Sequence, residues 1–208
     1  MKIIGLCGEK GSGKDTVYEF IKEKYKTKRF AFADPLKESL KKLFLWDDNN
    51  FSVDNKEKID DYWGVSPRQM CQLMGTDVLR ISLGKYFNKK LDNKNCLDLS
   101  ESSDGLHPND PDYSFHIKRI HKEFIQLDED FDYIVFTDIR FLDEIKYVKS
   151  LGGKIFKIVR PDIIRNEYSK HISEVGVDDE YFNQEVDEEI INDKSLLDLS
   201  EKVETLFK

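Results

Sequence analysis

A chain of 208 residues with 39% hydrophobic and 12% aromatic content can bury one good core, and that length disfavours two substantial domains. Its formal net charge of -8 disfavours a long nucleic-acid ligand, which needs an extended basic face, so any phosphate site must be local. Cys7, Cys71 and Cys96 make no C-x-x-C pair and are odd in number, which argues against a disulfide framework or a zinc site and for a reducing compartment. No apolar run approaches ~20 residues, and MKIIGLCG enters a strand-like run without a charged leader, so a soluble cytoplasmic protein is expected, with no membrane partner.

Lys2 to Cys7 is nearly all apolar, as a strand covered on both faces should be. A glycine-rich turn follows, and Val17, Phe20, Ile21 and Tyr25 then recur at helical spacing, predicting a helix over about 14–25. Arg29 to Ala33 reads as the second strand. Asp34-Pro35 offers an N-cap followed by proline at the first helical position, and Leu36, Leu40, Leu43 and Phe44 form the apolar stripe of the helix it starts. Trp46 to Asn50 reads as the polar turn that ends it.

Ser66-Pro67-Arg68-Gln69 combines cap, proline and capping-box glutamine, predicting a helix to about Gly75. From Asp92 to Asp112 the periodicity is lost in a segment rich in Asn, Ser, Asp, Gly and Pro, which reads as a polar insertion. Ile117, Ile120, Phe124 and Ile125 restore helical spacing. Tyr133 to Thr137 is a third apolar strand ended by Asp138. A helix carrying Ile145 and Val148 closes at Gly152-Gly153, Ile155 to Val159 is a fourth strand, and Glu189 to Ile191 a short fifth. Ser195 to Asp198 is a capping box for a terminal helix. Strands alternating with amphipathic helices predict an α/β fold with a parallel sheet.

Gly8, Gly13 and Lys14 satisfy G-x-x-x-x-G-K between a strand and a helix, the context in which that spacing makes a phosphate-binding loop. Several backbone N–H groups must converge on the phosphate oxygens, and Gly8, Gly11 and Gly13 can adopt the conformations this needs, with Lys10 and Ser12 between them. Lys14 would bridge the terminal phosphates, the helix N-terminus adds partial positive charge, and Thr16 lies in the first turn near the phosphates and Mg2+. Asp15 stands where a hydroxyl usually follows the lysine. A carboxylate beside a triphosphate is repulsive unless a cation or a donor-bearing substrate lies between, so a catalytic or Mg2+-organising role is expected; the alternative is that Asp15 merely favours the helix N-terminus, worth about 0.3–1 kcal/mol. Asp138, Arg140 and Asp143-Glu144 follow the third strand, where open parallel sheets gather their ligands. There an aspartate can hold Mg2+ through water and an arginine can neutralise a transferring phosphoryl group; a surface ion pair capping the next helix is the plainer reading.

Together with that loop, FADPLK (Phe32 to Lys37), SPRQMCQLMGTD (Ser66 to Asp77), TDIRFLDE (Thr137 to Glu144), GGKIFKIVRP (Gly152 to Pro161), HISE (His171 to Glu174) and IIND (Ile190 to Asp193) make the sequence resemble the deoxynucleoside monophosphate kinases of large phages and giant viruses. The resemblance covers nearly the whole chain. It implies a P-loop NTPase fold, a three-layer α/β/α arrangement with a five-stranded parallel sheet of the adenylate-kinase type. The expected organisation is a single domain over 1–208, with a helical acceptor-binding region at about 34–128 that contains the insertion 92–112.

The implied activity is transfer of the ATP γ-phosphate to a deoxynucleoside 5'-monophosphate, with Mg2+; a homodimer is compatible with it. Carried over motif by motif, Lys14, Asp15 and Thr16 belong to the ATP and Mg2+ side, with Arg160 and Asn192 as further donor contacts. Ala33, Lys37, Arg68, Gly75 and Thr76 belong to the acceptor side, and Asp138, Arg140 and Glu144 lie between. His171, Ser173 and Glu174 match a segment whose role chemistry alone does not assign. After Arg80 the sequence departs from the family, with Tyr86 or Phe87 available as the ring that stacks on the acceptor base. Two other readings are kept: a P-loop kinase for another phosphorylated acceptor, such as phosphomevalonate or dephospho-coenzyme A, and a nucleotide-dependent binding or switch protein.

Overall fold

The computed structural model describes residues 1–83, 114–161 and 180–207, which fall into two compact units: Met1–Ala31 with Leu127–Lys208, and Phe32–Gln126. The expected insertion at 92–112, Tyr86, Phe87, His171, Ser173 and Glu174 lie outside the described residues.

The first unit is built on one sheet of five parallel strands in the order β2-β3-β1-β4-β5. These are β1 (Lys2–Cys7), β2 (Thr27–Phe30), β3 (Tyr133–Ile139), β4 (Lys154–Val159) and β5 (Glu188–Ile191). The central strand β1 pairs with β3, Ile4 opposite Val135, and with β4, Leu6 opposite Phe156. Because side chains alternate along a strand, Ile4 and Leu6, Tyr133 and Val135, Phe156 and Ile158, and Ile190 share one face. On it pack Val17, Tyr18 and Ile21 of α1 (Lys14–Lys24) and Leu199, Val203 and Phe207 of and just after the last helix, Leu196–Leu206. The opposite face carries Phe136, fully buried, whose ring stacks on Phe30 at 5.4 Å and meets Tyr147 of the helix Leu142–Ser150 at 5.9 Å. Helices on both faces of a parallel sheet make the expected three-layer α/β/α architecture.

The second unit is helical where it is described. α2 (Asp34–Phe44) buries Leu36 and Leu40, and α3 (Pro67–Gln72) runs into a π-helical segment, Leu73–Ser82. α4 (Phe115–Phe124) buries His116, Ile117 and Ile120. In chain order the later helices of the first unit are α5 (Leu142–Ser150), α6 (Glu180–Gln184) and α7 (Leu196–Leu206). The capping boxes expected at Ser66 and Ser195 are both formed, each serine accepting from the amide three residues on at 3.2 Å.

Several boundaries differ from expectation. β2 ends at Phe30, not Ala33, because its ladder with β3 stops at Phe30 opposite Phe136 and Ala33 is already the N-cap of α2. Asp34 therefore lies in the first turn rather than at the cap, where its carboxylate pairs with Lys37 at 3.3 Å. Trp46 is not part of a polar turn. It is 6% exposed, stacks on Phe44 at 4.5 Å, touches the ring of Phe51, and donates its indole N–H to Asp60 at 2.8 Å. The helix from Pro67 does not end near Gly75 but continues in π geometry to Ser82, and Asp138 lies within β3 instead of closing it.

Candidate active site

The loop between β1 and α1 has three residues at positive φ, Gly8 (136°), Gly11 (81°) and Gly13 (106°), a backbone that side chains other than hydrogen rarely adopt. At two of them space decides as well. A Cβ on Gly8 would lie 2.3 Å from the Ile158 carbonyl oxygen in β4, and one on Gly13 would lie 2.6 Å from Nδ2 of Asn192. The loop is thus wrapped tightly against β4 and the segment after β5. It is stitched by Ser12 N–H donating to the Glu9 carbonyl at 3.2 Å, and α1 begins with Val17 N–H donating to the Gly13 carbonyl at 3.0 Å.

Lys14 folds back over this loop and donates from Nζ to the carbonyls of Gly8 and Glu9, each at 2.8 Å. Burial, then the nearby positive charge of Arg140, push its pKa down from 10.5 to about 8, against the opposing pull of Asp15, Cys7 and Asp138. Two carbonyl dipoles therefore leave the ammonium electrostatically undercompensated, and an arriving polyphosphate would supply the missing negative charge. The loop residues fit an anion on that ground. Beneath it the Cys7 thiol is buried and pushed up to about 12, so it is an inert packing group rather than a nucleophile.

The electrostatic coupling also shows which predicted residues come together. Asp15 from the start of α1, and Asp138 and Arg140 from the end of β3, each act electrostatically on Lys14. The order of the sheet causes this, since β3 lies directly beside β1. Asp15 is exposed, Thr16 is half-buried in the first turn of α1, and Asp138 is half-buried. Among the described residues no three His, Cys, Asp or Glu side chains gather as a metal cluster. The oxygens of Asp15, Thr16 and Asp138 are donors of the hard kind that Mg2+ takes.

Glu144 is 2% exposed, and its carboxylate accepts the backbone N–H groups of Arg140 at 2.8 Å and Phe141 at 3.2 Å. It holds the turn that carries Arg140 and caps α5. Arg160 stands exposed immediately after β4. Asn192 lies behind the loop, donating from Nδ2 to the Ser12 carbonyl at 2.8 Å.

The expected acceptor residues belong to the second unit. Ala33 is the N-cap of α2 and accepts from the amide of Lys37 at 3.1 Å. Arg68 is half-buried in the first turn of α3, its amide donating to the Lys56 carbonyl at 2.8 Å. Gly75 and Thr76 are buried in the π-helical segment, where the next residues of an α-helix would have been. His116, which sequence periodicity places only on a helix face, is bonded through Nε2 to the Gly75 carbonyl at 2.9 Å. The only sequence cue to it is a polar residue at a core-facing position.

A family model described as deoxynucleotide monophosphate kinase matches residues 2–56 and 105–203. A protein of Acanthamoeba polyphaga mimivirus, provisionally named deoxynucleotide monophosphate kinase, is 34% identical over 178 residues, spanning 84% of this chain and 81% of that protein. The deoxynucleotide monophosphate kinase of Escherichia phage RB69 is 25% identical, over 100% of both chains. Among solved structures, a dephospho-CoA kinase from Campylobacter jejuni aligns with a TM-score of 0.45 at 19% identity, over 99% of this chain and 96% of its own.

Proposed function

The chain belongs to the deoxynucleotide monophosphate kinase family, and from that premise we propose a division of labour among its residues. It phosphorylates deoxynucleoside monophosphates to diphosphates, using small nucleotides as substrates. The donor we assign is ATP, seated on the amides of the loop from Gly8 to Gly13 and on the N-terminus of α1.

The observation that carries this reading is the Lys14 ammonium held by two loop carbonyls with the charge of Arg140 acting on it. Two cations in one neighbourhood are costly in the free protein and favourable once phosphate charge lies between them. Lys14 would neutralise the terminal phosphates of the donor and Arg140 the phosphoryl group in flight. Transfer joins an oxygen of the acceptor phosphate to the γ-phosphorus and breaks the bond to the bridging oxygen, leaving ADP. The acceptor phosphate is already largely doubly ionised at neutral pH, so no general base is required. Asp15 and Asp138 are therefore assigned to organising Mg2+ with Thr16, where the ion would draw charge from the phosphates, rather than to proton abstraction. Glu144 acts as a positioning residue through the amide of Arg140. Lys37, Arg68 and the Gly75-Thr76 turn are assigned to the acceptor phosphate and sugar, and Arg160 to the donor nucleotide. Among the described residues no helix is long and apolar enough to cross a membrane, and viral relatives fit work in a host cytoplasm.

ADP release measured with dAMP, dCMP, dGMP and dTMP, beside dephospho-coenzyme A and phosphomevalonate, tests the assignment. Turnover with at least one deoxynucleotide, lost in Lys14→Met, is expected. Silence with every deoxynucleotide would overturn it.

A further inference from the structure

We propose that Asn192 is a positioning residue for the donor site, aiming the loop amides at the phosphates from behind rather than touching the nucleotide. This rests on the loop being the ATP site. Asn192 follows β5, and its own amide donates to the Val159 carbonyl at 2.7 Å, which fastens it to the end of β4. Lys202 of α7 holds the preceding peptide by donating to the Ile191 carbonyl at 2.6 Å and pairs with Asp193 at 3.3 Å. The base of the side chain is thus fixed from two directions.

From that anchor Nδ2 does two things to the loop. It donates to the carbonyl of Ser12 at 2.8 Å, and it lies only 2.6 Å from where a Cβ on Gly13 would stand, closing that space to any side chain. In a planar trans peptide the C=O and the following N–H point in opposite directions. Pinning the Ser12 carbonyl against Asn192 therefore turns the Gly13 N–H away from it, into the concave side of the loop where a phosphate oxygen would sit. Gly13, at φ 106° and at the N-cap of α1, has the freedom to rotate its peptide that this contact removes. The amide would otherwise have to be oriented at the cost of binding energy.

Asn192→Asp puts an anionic oxygen against the Ser12 carbonyl, repelling it at unchanged size. Asn192→Ser removes the donor without repulsion. In both purified proteins the KM for ATP should rise, at least tenfold in Asn192→Asp and less in Asn192→Ser, while the KM for the deoxynucleotide stays within twofold of wild type. A merely structural role would instead lower the folded fraction and kcat, leaving both KM values alone, and that outcome overturns the proposal for whichever variant shows cooperative thermal unfolding. Lys14→Met, run in the same assay, separates the two levels. If it is inactive and the Asn192 variants keep a normal KM for ATP, only the positioning role falls; if it remains active, the loop itself is not the donor site and the role of Asn192 falls with it.

Discussion

Titration of Lys14 gives the most quantitative test of how this loop handles charge. Its pKa in the nucleotide-free protein is about 8, against 10.5 unperturbed, so between those pH values the unfolded chain binds more protons than the folded one. Stability must then rise with pH across that window, and the cost of the buried ammonium is fully present below pH 8. At about 1.4 kcal/mol per tenfold change in acidity, the cost is at most about 3.5 kcal/mol, and solvent reaching this half-buried side chain brings it toward about 2 kcal/mol. Lys14→Met removes the charge while keeping a long stem. Urea unfolding of both proteins should show the stability difference moving in favour of wild type by about 2 kcal/mol between roughly pH 7 and pH 10.5, other titrations cancelling in the comparison. Donor capture follows the same group. The kcat/KM for ATP should fall about tenfold per pH unit above about 8, whereas kcat, which reports enzyme already holding phosphate charge, should persist to higher pH. Phosphate ionisations near pH 6 lie clear of this range. A kcat/KM flat to about pH 9.5, with a pH-independent stability difference, would refute the idea that Lys14 is an undercompensated cation.

Other perturbations follow from the same geometry. Arg140→Ala should lower kcat by about 10^2-fold or more with little change in thermal stability, since its expected work is done on the phosphoryl group in flight; near-wild-type turnover would remove it from the mechanism. Glu144→Ala should lower kcat and also cost about 1–3 kcal/mol, because two part-buried amides lose their acceptor; differential scanning calorimetry separates it from Arg140→Ala. Gly8→Ala should cost several kcal/mol through its clash with the Ile158 carbonyl 2.3 Å away, whereas Gly11→Ala, with nothing within 4 Å, should cost only about 1–2 kcal/mol of backbone strain. Equal melting temperatures for those two variants would contradict the packing described for Gly8.

The centre of the sheet was readable because its strands announce themselves locally: Lys2–Cys7 and Tyr133–Ile139 are apolar runs bounded by turn residues, and the glycines after the first carry their own conformational signature, whereas the edge strand Thr27–Phe30 is mostly polar and was expected two residues later. Features made by distant partners were not. Nearer in sequence, the cap that Glu144 makes on the amides of Arg140 and Phe141 is hidden because Phe141 rather than a serine or threonine precedes the helix. Nothing in the local sequence shows that Asn192 donates to the Ser12 carbonyl, 180 residues earlier. Trp46 follows an apparent helix end and precedes an Asp-Asp-Asn-Asn run, so composition suggests solvent; its burial depends on Phe44, Phe51 and Asp60. The π geometry of Leu73–Ser82 has no periodic signature of its own, and its Gly75 carbonyl is met by His116 from 41 residues away.

The order β2-β3-β1-β4-β5 carries a cost during synthesis on the ribosome. The strand that leads into the glycine-rich loop is translated before the other four, but its neighbours begin at Tyr133 and Lys154, so β1 must wait with both edges bare while well over a hundred residues emerge. Nascent chains halted before β4 would present an apolar strand with an unpaired edge, and those halted before β5 would lack the Asn192 side chain that donates to the Ser12 carbonyl, making both clients for chaperones.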